Sequence, residues 1–257
     1  MIFLVITADM QDSAHMNQTL TDILNTLSDD CKVSDVRVCQ KSTIVSSKHL
    51  GIAYNFPRTL NTPGNHDPIN NCGHLTESTS LELAQYSLSD NWTEASIGVA
   101  AINSMISRDP SEVHRINGKK ILFELCNNKR VAMVGHFNFT DKLRKICSHL
   151  DVLELIPQPG DLPADKASEV IPEADIVIIT GTTLVNHTFD KIASLAKDAY
   201  SMVLGPTTIM SPVLFDYGID DICGVRITDP ETAIRFLSQG GSFRDIVGTE
   251  QIVMSRH

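Results

Sequence analysis

Between Val131 and Asp245, four apolar runs each break into glycine, proline or hydroxyl residues: VAMVGHF, DVLELIPQPGDLP, ADIVIITGTTLVN and YSMVLGPTTIMSP. Runs of about four to seven residues rich in Val, Ile and Leu, separated by about 10 to 15 residues of helical pattern, argue for βαβ units and a parallel sheet. A strand covered on both faces needs no polar alternation, and Ala174 to Thr180 carries only Asp175 before the hydroxyls begin. Ligands of such sheets collect at the carboxyl ends of the strands, so the loops after the four runs are the expected site.

The preceding half reads differently. Met16, Leu20, Ile23, Leu24 and Leu27 follow helical spacing between Ser13 and Ser28. Lys32 to Ser46 alternates loosely as a strand, and Gly51 to Phe56 is expected to pair with it in a small antiparallel sheet. Leu75 to Leu88 and Trp92 to Ile106 carry helical patterns separated at Ser89-Asp90-Asn91, with Asn91 or Asp90 as the cap of the second. Its alanines and glycine suit packing against a partner subunit, and a homodimer is the default expectation. The shift to strict βα alternation places a domain boundary near Asn128, giving domains over 1–128 and 129–257.

The 21 basic and 31 acidic residues leave a net charge of −10, with no basic run, which disfavours a nucleic-acid partner. The opening MIFLVITADM lacks a positive n-region and is too short for a signal peptide or a membrane span, so a cytoplasmic protein without a membrane partner is expected. Six cysteines without a CxxC pair read as buried free thiols.

Several residues could carry chemistry. Gly135 ends the first run, but His136-Phe137-Asn138 lacks the further glycines of GxGxxG. Glu154 lies 19 residues beyond Gly135, where an acidic residue accepts ribose hydroxyls in nucleotide and S-adenosylmethionine folds. Gly160 and Asp161 precede Pro163, so Asp161 is read either as a helix cap or as a ligand contact. Gly181-Thr182-Thr183 and Gly205-Pro206-Thr207 offer amides and hydroxyls to an anion. His136 suits a metal or a proton transfer, against the plainer reading of a histidine bonded to loop backbone. Glu77 and Ser80 fit a helix start around Thr76 and Ser78 as well as they fit catalysis. The loop from Asn61 to Gly73, followed by His74, brings together His66, Asp67, Cys72 and His74, which are metal-compatible but match no recognised spacing.

LELAQYSLSDNWTEASIGVAAINSM, VAMVGHF, PQPGDLP, EADIVIITGTTLVNHT, LGPTTIMSPVLFDYGID and GVRITDPETAIRFLSQGGSFR together resemble the putative heavy-metal chelation domain family, over Leu81 to Arg244. The resemblance implies an α/β chain in which a small α+β, enolase N-terminal-like domain precedes a Rossmann-like parallel-sheet domain. It also implies a ligand site at their junction. Carried over by motif, the cleft residues are Gly135, His136, Glu154, Gly160, Asp161, Thr180, Gly181, Thr182, Thr183, Asn186, Gly205, Pro206 and Thr207. Glu77 and Ser80 precede the matched motifs and are assigned by position. His187 stands where a small residue is expected in a tight turn.

Three functions follow. The first is binding of a metal, or of a small metal-chelating ligand, between the domains, with His136, Asp161 and Glu154 as donors suited to a divalent transition metal. The second is an enzyme that condenses or hydrolyses a small pterin-, flavin- or siderophore-like molecule, with His136, Glu77 and Asp161 as catalytic groups. The third is a methyltransferase-like protein that binds S-adenosylmethionine through Glu154.

Overall fold

The computed structural model describes residues 17–57, 67–106 and 118–256. The opening apolar run, Met16, and the part of the following loop from 58 to 66 that holds His66 lie outside the described residues. The described part begins with α1 (Gln18–Thr26), which buries Leu20, Ile23 and Leu24 at the predicted spacing. The Lys32 to Ser46 segment forms a hairpin rather than one strand, so the small antiparallel sheet has three strands: β1 (Asp35–Val38), β2 (Ser42–Ser46) and β3 (Leu50–Tyr54).

The expected helix from Leu75 to Leu88 is broken. A 3-10 turn at Leu75–Glu77 precedes α2 (Ser80–Ala84), and a second 3-10 turn follows at Gln85–Leu88. The break lies at Thr79, whose hydroxyl accepts from the Glu82 amide while the Glu82 carboxylate accepts from the Thr79 amide. This reciprocal capping satisfies amides that a helix start would otherwise leave bare. Helix start therefore falls at Thr79, not at Thr76 or Ser78.

Helix α3 (Trp92–Met105) is capped by Asn91, one of the two residues its sequence offered. Twelve of its fourteen residues are buried, so it has no polar face to turn toward water. Its small residues let neighbours approach at backbone distance. A Cβ on Gly98 would lie 1.8 Å from the Ser87 nitrogen, and one on Gly51 would lie 2.0 Å from the Ala100 oxygen. Those faces of α3 are filled by β3 and by the turn at Gln85–Leu88, within the same chain.

After α4 (Gly118–Leu125) comes the large sheet. Its strands are β4 (Arg130–Val134), β5 (His149–Glu154), β6 (Leu162–Pro163), β7 (Ile176–Thr180), β8 (Tyr200–Leu204), β9 (Asp221–Ile227) and β10 (Thr249–Ser255). They lie in the order β10-β9-β8-β7-β4-β5-β6, all parallel except β10, which runs antiparallel to β9. The four apolar runs are β4, β5, β7 and β8; β6, β9 and β10 extend the sheet beyond them. The connecting helices are α5 (Thr140–Leu143), α6 (Ala167–Val170), α7 (Phe189–Leu195), α8 (Val213–Asp216) and α9 (Pro230–Ser238).

Alternate residues of the central strands feed two apolar layers. Ala132, Val177, Ile179 and Val203 face one, while Val131, Met133, Ile178 and Met202 face the other. Each large aliphatic side chain removed from water contributes about 1.5–3 kcal/mol, which explains why these strands are apolar at successive positions. Counted from β4, the chain first moves outward through β5 and β6 and then returns to β7 on the other side. The reversal leaves a crevice at the carboxyl ends of β4 and β7.

Candidate functional site

At that crevice the backbone leaves β4 through Gly135, whose φ of 98° suits a residue without a Cβ. A Cβ there would also stand 3.0 Å from the Thr180 side chain at the end of β7. The next amide, of His136, donates to Glu154 Oε1 at 2.6 Å, and the Leu155 amide donates to Glu154 Oε2 at 3.1 Å. Glu154 thus ties the loops after β4 and β5 together with both carboxylate oxygens.

His136 Nδ1 meets the Asp161 carboxylate at 3.0 Å. The Asp161 side chain is 1 % exposed and the His136 side chain 20 % exposed. Asp161 also accepts from the Gln158 amide at 3.1 Å, and its own amide donates back to the Gln158 carbonyl at 2.9 Å. Pro159 and Gly160 occupy the middle of this turn, with Gly160 at φ 94°, the conformation a proline–glycine turn demands. Asp161 therefore caps no helix: it precedes β6, and its carboxylate orients an imidazole.

The loop after β7 forms a 3-10 turn at Gly181–Leu184. Thr180 and Thr182 hydroxyls lie 3.1 Å apart, while the Thr183 hydroxyl is buried and donates to the Thr180 carbonyl. Gly181 is pressed on the Thr208 backbone, where a Cβ would meet the Thr208 nitrogen at 2.6 Å. Asn186 Oδ1 accepts from the Thr188 hydroxyl and shapes the turn that follows. In that turn His187 takes φ 60° in place of the small residue expected, and its Nε2 lies 2.7 Å from the Ser87 carbonyl oxygen. After β8, Gly205 takes φ 125°. The Thr207 hydroxyl accepts from the Tyr54 amide at 3.0 Å, so this residue joins the large sheet to β3.

These loops border a cavity of about 940 Å³, near the top of the range that holds small organic ligands. Gly135, His136, Glu154, Thr180, Gly181, Thr182, Thr183, Asn186, Gly205, Pro206 and Thr207 all line it. Gly160 is exposed and Asp161 is screened by its own turn, and neither lines the cavity. Tyr54 and Phe56 of the small-sheet segment close another side. Burial, followed by the nearby Glu154 charge, pushes the Tyr54 hydroxyl above its ordinary pKa.

Residues 119–255 match the model of a family described as "Putative heavy-metal chelation", and residues 21–106 match a second model with the same description. The chain belongs to this heavy-metal chelation family. It is 28% identical over 239 residues to an uncharacterised protein of Methanocaldococcus jannaschii, covering 86% of this chain and 88% of that protein. A crystal structure of a family member of unknown function from Desulfitobacterium hafniense superposes with a TM-score of 0.81 at 24% identity, over 94% of this chain and 99% of that one. Another, from Pyrococcus horikoshii and also of unknown function, gives 0.76 at 20% identity over 93% and 98%. These likenesses extend the fold to the family.

The family description implies a metal, and the donors can be tested against it. Among the described residues, no group of three or more His, Cys, Asp and Glu could hold a metal ion. Asp161 is occupied by His136 and Gln158, and Glu154 by two amides. Cys223 borders the cavity, and burial pushes its thiol well above the ordinary range. Among the described residues, a cage built only of protein side chains does not fit here.

Glu77 and Ser80 are outside the cavity. Ser80 is fully buried, accepting from the Cys31 amide and donating to Asp30. Glu77 is exposed and paired with His74 at 2.8 Å, beside a separate hollow with Asp30 and Cys31. Their position before the matched motifs carried no information on which side of the sheet they face. Conversely, Tyr54, Phe56, Lys41, Phe243 and Arg244 line the cavity without having been singled out. The GGSFR glycines were the local hint for the last two.

Proposed function

We propose that the cavity binds a small organic molecule that carries a metal within its own donor set, so that the protein handles a chelate rather than a bare ion. The observation that carries this is the pairing of a cavity of about 940 Å³ with the lack of any three-donor cluster among the described residues. An ion needs several donors in contact with it, whereas a ligand that fills such a volume supplies them itself.

In this reading His136 contributes one nitrogen. Asp161 engages Nδ1 of this cavity-lining residue, so Nε2 is the nitrogen left for a ligand, the arrangement by which a carboxylate fixes the tautomer of a metal-binding imidazole. Asp161 orients and does not ligate. Native mass spectrometry on gently purified protein tests it. The expected result is an adduct heavier than an ion, containing metal by elemental analysis and lost in His136→Ala. Stoichiometric uptake of bare nickel or zinc, with no organic mass, would overturn it.

A second reading has one specific support: an accessible imidazole backed by a buried carboxylate is also the geometry of a general base. It predicts that an organic adduct changes mass on incubation with active protein and stays unchanged with His136→Ala. The S-adenosylmethionine reading has less support, because backbone amides already engage both Glu154 oxygens.

A further inference from the structure

The chain carries ten more acidic than basic residues, 31 against 21, so a surface patch of this protein is acidic by default. The cavity reverses that bias. Three cations line it, Lys41, Lys191 and Arg244, while Glu154 is its one lining carboxylate among the described residues. The three come from unrelated places: the turn between β1 and β2, helix α7, and the 3-10 turn Phe243–Asp245 after α9.

Five cations elsewhere on the described surface are paired. Arg37, Lys48, Arg130, Lys166 and Arg226 each meet a carboxylate. Lys41, Lys191 and Arg244 are in none of these pairs among the described residues, and all three border the cavity.

Beneath these charges the walls are aromatic. Tyr54 packs edge-on against Phe56 at 5.2 Å and lies 6.4 Å from Phe243, and Phe137 stacks on Phe139 at 5.2 Å. At the mouth, Leu155 and Ile156 stay 42 % and 58 % exposed, although large aliphatic side chains favour burial. Flat apolar walls under a cationic rim complement a flat apolar body with acidic groups at its edge.

We propose that the ligand of this cavity is an aromatic organic anion bearing two or more acidic groups, held by Lys41, Lys191 and Arg244. The inference rests on the reading of the cavity as a ligand site and adds the chemical class. Acidic oxygens at the edge of an aromatic body are also hard donors for a divalent ion, which joins the two readings chemically.

The test uses the full chain and two dyes, bis-ANS as an aromatic disulfonate and Nile red as a neutral aromatic, each titrated by fluorescence. The triple variant Lys41→Ala, Lys191→Ala, Arg244→Ala changes exposed side chains only and is expected to fold. It is expected to weaken bis-ANS about tenfold, the sum of three exposed charge contacts, and to leave Nile red within about twofold. Added sodium chloride should weaken bis-ANS in the wild type and not Nile red.

Equal bis-ANS affinity in the triple variant overturns the charge assignment. If Thr182→Trp, which places a bulky ring on the cavity wall, still abolishes both dyes, the cavity itself stands. Both dyes binding unchanged to Thr182→Trp overturns the cavity as the ligand site. Photo-incorporation of bis-ANS into wild-type protein, mapped by peptide, locates the dye without relying on that variant's folding, and labelling away from the cavity overturns both.

Discussion

His136 and Asp161 meet at 3.0 Å across the loops after β4 and β5, one partly open to the cavity and the other sealed behind it. Removing the carboxylate frees the ring to turn and removes the hydrogen bond that sets its tautomer. Asp161→Ala is expected to weaken retention of the bound adduct by about 10- to 100-fold, the usual effect of losing such a partner. Occupancy by native mass spectrometry at graded dilution checks this, and occupancy equal to wild type removes the orienting role.

The His187 ring bonds the Ser87 carbonyl from a backbone at φ 60°. His187→Ala keeps the strained backbone and loses the bond, a loss of about 1–2 kcal/mol. His187→Gly loses the same bond but suits that φ, so it should be the more stable of the two variants. Denaturant titrations of both compare them directly.

Gly98→Ala places a methyl group where the Ser87 backbone already stands. Because the obstacle is main chain and not a flexible side chain, the expected loss is about 3 kcal/mol or more, at the upper end of overpacking effects. A melting temperature within a degree or so of wild type would show that the turn at Gln85–Leu88 shifts aside easily.

Tyr217 donates to Asp22 at 2.5 Å, and this bond holds the Asp22 carboxyl below its ordinary value of 3.8. A folded-state pKa that is depressed contributes stability above the unfolded value, lost as pH falls through the folded one. Tyr217→Phe should therefore destabilise the protein at neutral pH, and the gap from wild type should close as pH drops below 3.8. Thermal melts across that window decide it; a gap that widens toward acid would contradict the assignment.

Cys126 is buried with its pKa pushed up to about 12, chiefly by desolvation, and Cys223 is shifted upward for the same reason. Cys72 is exposed. A thiol reagent at mildly alkaline pH should modify Cys72 quickly and leave Cys126 and Cys223 until the chain unfolds. Peptide mapping after short exposure reads the order.

Much of the large sheet was legible because β4, β5, β7 and β8 bury residues on both faces, a condition that writes itself as short, predominantly apolar runs. The glycine and threonine breaks marked the strand ends, and most of the residues at those ends line the cavity. The two-strand reading of Lys32 to Phe56 missed a hairpin, since the turn at Cys39–Lys41 has no glycine or proline to announce it. Asp161 read equally well as a cap because the local pattern of a turn before a proline is the same whether helix or strand follows.

Periodicity and punctuation are properties of neighbouring residues, and they were enough to indicate a parallel sheet, the strand-end loops that border the cavity, and a cap for α3 at Asp90 or Asn91. The partnership of His136 with Asp161, the contact of His187 with Ser87, and the gathering of Lys41, Lys191 and Arg244 join positions 25 to 203 residues apart. Such contacts follow from strand order and from how the small sheet docks on the large one. Local backbone preference acts over a few residues, so it cannot encode which distant loops share an edge; only the packed chain brings them within reach.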